Sequence, residues 1–228
     1  AYQTRALELV QHVIGVARQH GIRLMVRLVK GAYWDAEIKR AQELGLPHYP
    51  VFTEKHHTDA SYLACARALL AAPDAIYPQF ATHNAGTIAA ILQMAGASGT
   101  EQPPGRPKAA NTPSGGNAVP QGASVGAHNF EMQRLHGMGE GVYREVLRHS
   151  GVRCRVYAPV GQHRDLLAYL VRRLLENGAN SSFVHQLADE SVGMDTLLAS
   201  PVALCAEFAA SSRPQLNLPL PPDLYGPA

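Results

Sequence analysis

The sequence predicts an α/β fold of parallel βα units that forms part of a (β/α)8 barrel. Strand patterns followed by helical patterns occur four times along the 228 residues, and another helical pattern precedes the first strand. Polar side chains gather directly after the strands, the end at which parallel βα folds carry their sites. Four units cannot close an eight-stranded barrel, so the pattern corresponds to the later half of one.

The elements follow from the spacing of apolar residues and from turn residues. Apolar residues at helical spacing predict helices over residues 7–20, 35–44, 58–70, 87–94, 142–148, 163–176 and 202–210. A strand is predicted over residues 23–30, which are rich in Leu, Met and Val, and further strands are predicted over residues 76–81, 130–135 and 154–158. Gly21 is expected to end the first helix, and a Thr58–Asp59 cap is expected to begin the third.

Composition divides the chain into a barrel region and a tail. Residues 1–192 are predicted to form the partial barrel, interrupted by a segment over 97–128 rich in Gly, Pro, Ser and Asn. Such a segment buries little apolar surface, so it is expected to be a disordered surface insertion. Residues 193–228 are predicted to contain a short helix and a Pro-rich linker tail.

Charge, hydropathy and cysteine usage narrow the function classes. The net charge of +2 gives no electrostatic reason to expect nucleic-acid binding. No apolar run of about 18 residues is present, so no membrane span is predicted. The three cysteines are far apart and form no CxxC pair. A reducing, cytoplasmic environment is therefore expected.

The helix over residues 163–176 carries a candidate anion clamp. Two adjacent guanidinium groups, Arg172 and Arg173, stand near Tyr169 and Glu176 on the helix surface. Paired N–H donors suit a small carboxylate. The alternative is a solvated face on which the two arginines form ion pairs with Glu176.

The first strand and its turn carry a second candidate site. Arg27 lies within an apolar strand, where an unpaired charge is costly, so it should meet a carboxylate, a cofactor or a polar barrel interior. Gly31 permits close backbone approach, Lys30 could meet a phosphate, and Trp34 could stack on a ring. Pairing inside the barrel for Arg27 and simple packing for Trp34 are the alternatives.

Histidines at strand ends raise a metal-site alternative. His83 and His136 each follow a strand, as metal ligands of barrel hydrolases do. However, the chain has no HxH or HExxH motif, and the adjacent His56 and His57 are expected to point apart. No metal site is predicted, and a metal-dependent barrel hydrolase remains only the alternative.

Five blocks of sequence resemble the proline dehydrogenase barrel of bifunctional proline utilization A flavoenzymes. They are RLVKGAYWDAEIKRAQ (27–42), YPQFATHNAGTIAAI (77–91), FEMQRLHGMGEGVY (130–143), CRVYAPVG (154–161) and AYLVRRLLENGANSSFV (168–184). The tail LPLPPDLYGPA (218–228) is similar to the linker that follows this barrel in the family. The resemblance implies the C-terminal half of the barrel only.

The resemblance also implies FAD as the cofactor and L-proline as the substrate. Arg27, Tyr33 and Tyr157 would be the catalytic residues, with Arg27 near flavin N5. The cofactor would be bound by Arg27, Val29, Lys30, Gly31, Ala32, Trp34, Thr53, Lys55, Thr82, His83, Asn84, Gln133 and Phe183. The substrate would be bound by Tyr169, Arg172, Arg173, Glu176 and Leu135, with both arginines on its carboxylate.

The reaction implied is hydride transfer from proline C5 to flavin N5, which yields Δ1-pyrroline-5-carboxylate on the way to glutamate. By resemblance, a membrane quinone accepts the electrons, and the parent protein is a homo-oligomer with a fused aldehyde dehydrogenase domain. Its expected location is the cytoplasm, peripherally at the inner membrane face. Because earlier strands of the barrel are missing, an inactive truncated fragment is the alternative.

Overall fold

A four-stranded parallel sheet forms the centre of the molecule. Its strands are paired in the order β1 (Leu24–Leu28), β2 (Ile76–Ala81), β3 (Glu131–Leu135) and β4 (Arg153–Tyr157). The computed structural model describes residues 1–97, 129–178, 191, 193, 195, 198–211 and 218–224. All three strand pairs are parallel, so the carboxyl ends of the strands lie along one edge of the sheet.

Helices connect the strands in the order that the sequence predicts. The helices are α1 (Ala6–Gln19), α2 (Trp34–Glu43), α3 (Lys55–Leu70), α4 (Ala85–Ala97), α5 (Glu140–Ser150), α6 (His163–Gly178) and α7 (Pro201–Ala210), and a 3-10 turn spans Pro221–Asp223. Every strand is followed by at least one helix, and α1 precedes β1. The predicted series of parallel βα units is confirmed.

The two faces of the sheet differ in chemistry. Residues of β2 alternate between buried and half-buried, and Ile76 and Phe80 point into the core with Met132 of β3. Helices α1, α3 and α4 cover this face, and Tyr62 and Leu69 of α3 are fully buried against it. Burial of one such side chain contributes about 1.5–3 kcal/mol, so packing of the helices against this face stabilises the sheet.

The opposite face carries a polar network centred on the carboxylate of Glu131. Its oxygens accept hydrogen bonds from Gln79 Nε2 at 2.9 Å, from Gln133 Nε2 at 2.8 Å, and from Arg155 Nε and Nη2 at 2.7 and 2.9 Å. The hydrogen bonds from Arg155 hold the pKa of Glu131 below its usual value, although burial opposes them. One buried carboxylate therefore ties β2, β3 and β4 together.

Most predicted element boundaries differ from the structure by one to three residues, and two of these errors have a visible cause. Helix α3 begins at Lys55 rather than at Thr58, and Glu54 occupies its N-cap position without a side-chain hydrogen bond. Asp59 does not cap the helix, because its carboxylate forms ion pairs with Lys30 and Lys55. Strand β1 ends at Leu28 rather than at residue 30, because its pairing with β2 stops at the Leu28–Phe80 partners.

Part of the C-terminal tail packs against the rest of the chain. Leu218 contacts a small apolar cluster formed by Ile38, Ala41, Tyr49 and Val51. The Tyr49 hydroxyl donates a hydrogen bond to the carbonyl of Pro219 at 2.9 Å. The described part of the predicted linker is thus attached to α2, whereas the insertion predicted over 97–128 lies outside the described residues apart from the last residue of α4.

Tyr143→Phe is expected to lower the free energy of unfolding by about 1–3 kcal/mol. Tyr143 is 1% exposed, and its hydroxyl lies 2.8 Å from the carbonyl oxygen of Thr82 and 3.2 Å from that of Gln133. Phenylalanine would leave these buried oxygens at the ends of β2 and β3 without their donor. Urea unfolding measures the loss, with Tyr77→Phe as the control, and equal losses in both variants would contradict the prediction.

Candidate functional site

A cavity of about 680 Å³ lies at the carboxyl ends of the strands, between the sheet edge and α6. This size is within the usual range for small-molecule sites. Five basic side chains line it, namely Arg27, Lys30, Lys55, Arg172 and Arg173. Four tyrosines also line it, namely Tyr2, Tyr33, Tyr157 and Tyr169. Among the described residues the lining contains no acidic side chain, so the cavity is suited to an anionic ligand.

Each of the three cavity arginines lies over a tyrosine ring. The guanidinium carbon of Arg27 is 4.4 Å from the ring centroid of Tyr157. That of Arg172 is 4.3 Å from Tyr33, and that of Arg173 is 5.2 Å from Tyr169. Cation–π contacts of this kind orient the plane of a guanidinium group relative to the ring. The rings therefore hold the positive charges in place at the cavity wall.

Helix α6 directs its two central arginines towards the strand ends. Arg172 and Arg173 are both half-buried and line the cavity, whereas Arg164 in the first turn of the helix is exposed. A fully solvated face does not describe these two positions. Since adjacent helical residues are about 100° apart, both guanidinium groups reach the cavity by flanking Tyr169 on the same side of the helix.

Arg27 differs from the expectation for a charge within an apolar strand. It belongs to β1, but its side chain points to the polar face of the sheet and is exposed. Burial therefore does not demand a carboxylate partner for it. Its position over Tyr157 leaves it facing the cavity.

The turn after β1 is shaped by a close approach between Tyr2 and Gly31. Gly31 has a φ of 137°, and a Cβ atom at this position would collide with the Tyr2 ring. Tyr2 is held there because its backbone N–H donates to the carbonyl of Lys30 at 2.8 Å and its carbonyl accepts from Phe52 at 2.8 Å. A glycine is required at this position for both reasons, and the turn brings Lys30 into the cavity wall.

Lys30 is held by a buried ion pair near the N-terminus of α3. Its ammonium group pairs with Asp59, which also accepts a hydrogen bond from Lys55 Nζ at 2.8 Å. Burial lowers the pKa of Lys30 although Asp59 opposes the shift. Burial raises the pKa of Asp59, but the charges of Lys30 and Lys55 outweigh it and leave this pKa below its usual value. The three side chains form one charged unit with an excess positive charge.

Three polar residues follow β2, and each has a structural partner. Asn84 Oδ1 accepts a hydrogen bond from the Thr87 backbone N–H at 2.8 Å, which caps α4. Thr82 Oγ1 accepts from the backbone N–H of Asn84 at 3.2 Å. His83 Nε2 accepts from the backbone N–H of Leu135 at 3.0 Å. These bonds connect the ends of β2 and β3 and fix the floor of the cavity.

The comparison with protein families gives one match that covers most of the chain. The model of the proline dehydrogenase family matches residues 1–104 and 115–186. The chain belongs to the proline dehydrogenase family.

The relatives of this member of the proline dehydrogenase family are much longer proteins. It is 49% identical over 235 residues to the bifunctional protein PutA of Escherichia coli (strain K12), an alignment covering 99% of the chain and 16% of that protein. It is 26% identical to proline dehydrogenase 1 of Bacillus subtilis (strain 168), covering 81% of the chain and 45% of that protein. The chain thus spans about a sixth of the length of its PutA relative.

Solved structures show the same fold. A crystal structure of Bradyrhizobium japonicum proline utilization A superposes with a TM-score of 0.79 at 51% identity, covering 99% of the chain and 20% of the solved chain. The Bdellovibrio bacteriovorus protein gives a TM-score of 0.72 at 36% identity, covering 88% of the chain and 18% of the solved chain. Together with the parallel sheet, this likeness confirms the predicted α/β partial barrel.

Most of the site residues predicted for a proline dehydrogenase lie together at the cavity, but four do not line it. Trp34 donates from Nε1 to the carbonyl of Phe52 at 2.8 Å and packs against the small apolar cluster. Gln133 belongs to the Glu131 network, and Thr53 and Leu135 also lie outside the lining. Glu176 falls within α6, but its side chain and the whole of Phe183 lie outside the described residues.

Several residues at the cavity of this proline dehydrogenase family member were not predicted from the sequence. Tyr2, Met138 and Pro159 line the cavity, and Asp59 anchors its lysines. Only Asp59 left a signal in the sequence, because Lys55 and Asp59 stand at the i,i+4 spacing of a helical ion pair. Tyr2 left none, since its place depends on backbone hydrogen bonds to two distant turns.

The four histidines considered as metal ligands or as a divergent pair are not all arranged as expected. His83 Nε2 already accepts a backbone hydrogen bond, and within the described part of the chain His83 and His136 do not belong to a group of metal-ligating side chains. The hydrolase alternative therefore lacks structural support. His56 and His57 do not point apart as expected, because their ring centroids are only 4.4 Å from each other.

His83→Gln is expected to change how stability depends on pH. Burial, together with the positive charges of Arg134 and Arg173, lowers the pKa of His83 from 6.5 to about 4. Between these values the unfolded chain takes up a proton that the folded protein excludes, so stability conferred by neutral His83 falls as pH falls.

The stability difference between the unsubstituted protein and His83→Gln should thus be level above pH 6.5 and decrease from about pH 6.5 to about 4. Thermal unfolding at stepped pH measures it, with the exposed His12→Gln as the surface control. A difference that rises on acidification would contradict this expectation.

Proposed function

We propose that the chain forms part of an FAD-dependent dehydrogenase that oxidises L-proline to Δ1-pyrroline-5-carboxylate. The observation that carries the proposal is the cavity at the strand ends, which gathers five basic side chains and four tyrosines with no acidic lining among the described residues. Proline presents a carboxylate and FAD presents a pyrophosphate, so both would add negative charge to a positive site. Membership of the proline dehydrogenase family supports the choice of substrate.

The residues present fit FAD as the cofactor. Lys30 and Lys55 offer ammonium groups to its phosphates, and the turn at Gly31 brings backbone close to the cavity. Val29, Ala32, Thr82, His83 and Asn84 would complete its walls. When bound, FAD accepts the hydride that leaves C5 of proline.

The substrate would be held by the arginines of α6. Arg172 and Arg173 carry paired donors that bind the proline carboxylate, and Tyr33, Tyr157 and Tyr169 enclose the pyrrolidine ring. Fixing the substrate in this way converts the reaction into an oriented, effectively intramolecular step. Arg27 places a positive charge at the cavity wall, which would stabilise the negative charge that develops on the cofactor side.

The proposal extends to the whole protein. Because the E. coli relative is called bifunctional, a second, fused enzymatic domain is proposed for the protein that carries this chain. From the family resemblance of the sequence, this domain is proposed to be an aldehyde dehydrogenase and the protein to be a homo-oligomer. A membrane quinone is the proposed electron acceptor, with the protein in the cytoplasm and peripheral at the inner membrane face. Among the residues that the structure describes, no helix has both the length and the apolar composition needed to cross a bilayer.

A flavin spectrum tests the proposal directly. The protein at its full natural length should be yellow when purified with FAD, and its flavin absorbance should bleach when L-proline is added without oxygen. D-proline serves as the control ligand. A protein that binds flavin but does not bleach with L-proline would exclude the proposed reaction.

The 228-residue chain alone separates the remaining alternatives in the same assay. A colourless, aggregating chain beside an active full-length protein would identify the chain as an inactive piece of the enzyme. Zinc-dependent hydrolysis without bound flavin would instead support the metal-dependent barrel hydrolase.

A further inference from the structure

We propose that His56, His57 and Cys205 form a binding site for a zinc-type divalent cation, which fastens α7 to the beginning of α3. This site lies outside the cavity lining and is independent of the proposed flavin and proline sites. It joins two segments that are distant in the sequence, since Cys205 lies 149 positions after His56. Its ligands are two imidazoles and one thiolate, a set typical of zinc sites.

The distances among the three side chains fit one metal ion. One ligand atom from each residue lies within 4.8 Å of the other two. Bond lengths of about 2.0–2.1 Å to nitrogen and about 2.3 Å to sulfur place the ligand atoms of a tetrahedral site with two nitrogens and one sulfur roughly 3.3–3.6 Å apart. Side-chain rotations that move these atoms by about 1 Å would therefore bring all three within bonding distance of one ion. Each of the three residues is half-buried rather than freely solvated.

A second observation also indicates a missing partner at this place. The Nε2 atom of His56 is buried and has no hydrogen-bond partner among the described residues. A buried nitrogen in this state is costly, and native proteins rarely leave one without a partner. The Cys205 thiol donates a hydrogen bond to the carbonyl oxygen of His56 at 3.6 Å, which holds the sulfur at the first turn of α3. Metal coordination would satisfy the buried imidazole nitrogen.

The surroundings of the cluster shield it in part from solvent. The Phe208 ring of α7 lies 5.0 Å from the His56 ring and 5.4 Å from the His57 ring, measured between centroids. This ring shields the imidazoles from solvent and fixes their orientation. Asp59, one turn further along α3, is engaged by Lys30 and Lys55, so a fourth ligand would come from solvent.

A metal ion at this site would attach α7 to α3 in addition to the packing between the two helices. Helix α7 packs on α3, and a shared metal would fix this packing at the first turn of α3. That turn also contains Lys55, which lines the cavity. The metal would therefore stabilise the position of a cavity residue from outside the cavity.

Cobalt binding tests the site without relying on enzyme activity. The protein at its full natural length is stripped of metal and titrated with Co²⁺, and absorbance from a cobalt–thiolate bond is recorded. We expect one equivalent of such absorbance in the unsubstituted protein and in the Cys154→Ser control. It should be lost in Cys205→Ser, and added Zn²⁺ should displace the cobalt.

Zinc affinity and thermal unfolding provide the second measurement. Cys205→Ser and His57→Gln should each weaken Zn²⁺ binding by at least about 100-fold, since loss of a residue that merely supports a ligand costs roughly 10–100-fold. Zn²⁺ should raise the unfolding temperature of the unsubstituted protein but not of these variants. Circular dichroism establishes that each variant is folded, and His57→Gln replaces Cys205→Ser if the latter is not.

Two results would overturn the proposal. One is cobalt–thiolate absorbance of equal strength in the unsubstituted protein and in Cys205→Ser, which would place the metal on another cysteine. The other is the absence of saturable cobalt or zinc binding in the folded, unsubstituted protein.

Discussion

Replacing Arg172 or Arg173 by alanine is expected to lower kcat/KM for L-proline by roughly 30-fold to several-thousand-fold. Each change removes one of two adjacent, half-buried guanidinium groups from the cavity wall. Loss of one partner from a desolvated, hydrogen-bonded charge pair costs about 2–5 kcal/mol, which corresponds to this range. FAD affinity should change much less, because Lys30 and Lys55 remain.

Steady-state kinetics with L-proline measure the loss, and a flavin titration measures cofactor affinity separately. Arg164→Ala is the matched control on the same helix, since Arg164 is exposed and lies 3.5 Å from Asp165. Arg172→Lys is a useful second variant because it keeps the charge but loses the paired donors. Unchanged KM and kcat in both alanine variants would show that the carboxylate binds elsewhere.

Lys30→Met is expected to lower the free energy of unfolding by about 3–5 kcal/mol and to weaken FAD binding. The side chains of Lys30 and Asp59 are 27% and 13% exposed, so the substitution leaves a largely buried carboxylate with only one remaining cation. Removal of one member of a buried ion pair has a cost of this size. The loss of FAD affinity follows from the loss of one positive charge at the cavity wall.

Lys55→Met provides the contrast, because Lys55 pairs with the same carboxylate but its side chain is 52% exposed. Its effect on stability should be at most about 1 kcal/mol, as for exposed ion pairs. The double variant Lys30→Met/Asp59→Leu should recover much of the stability but not the FAD affinity. Thermal unfolding without cofactor measures the first effect, and equal losses for Lys30→Met and Lys55→Met would refute the buried pair.

The sheet was predictable because its strands are short segments that precede turn residues and alternate with helical patterns. In β2, Ile76 and Phe80 are both fully buried, and this alternation is visible in the sequence. Helix boundaries were less predictable, because they depend on partners that are distant along the chain. Helix α3 begins three residues earlier than expected, since Asp59 is used by Lys30 and not by a cap.

The candidate site was predictable where a residue follows a strand and was not where tertiary packing decides. Lys30, His83 and Tyr157 all follow or end strands, and all three line the cavity. Trp34 begins α2 and packs into an apolar cluster instead. The proximity of Cys205 to His56 depends on how α7 packs, which no local pattern reveals.

The Glu131 carboxylate has a consequence for how the chain folds. Its donors come from β2, β3 and β4 at one particular alignment of the strands. A shift of β3 by two residues would keep its apolar side chains on the correct face. It would, however, move the Glu131 carboxylate away from Gln79 and Arg155. Misaligned sheets would thus carry an unneutralised charge in their interior, and this cost favours the native alignment during assembly.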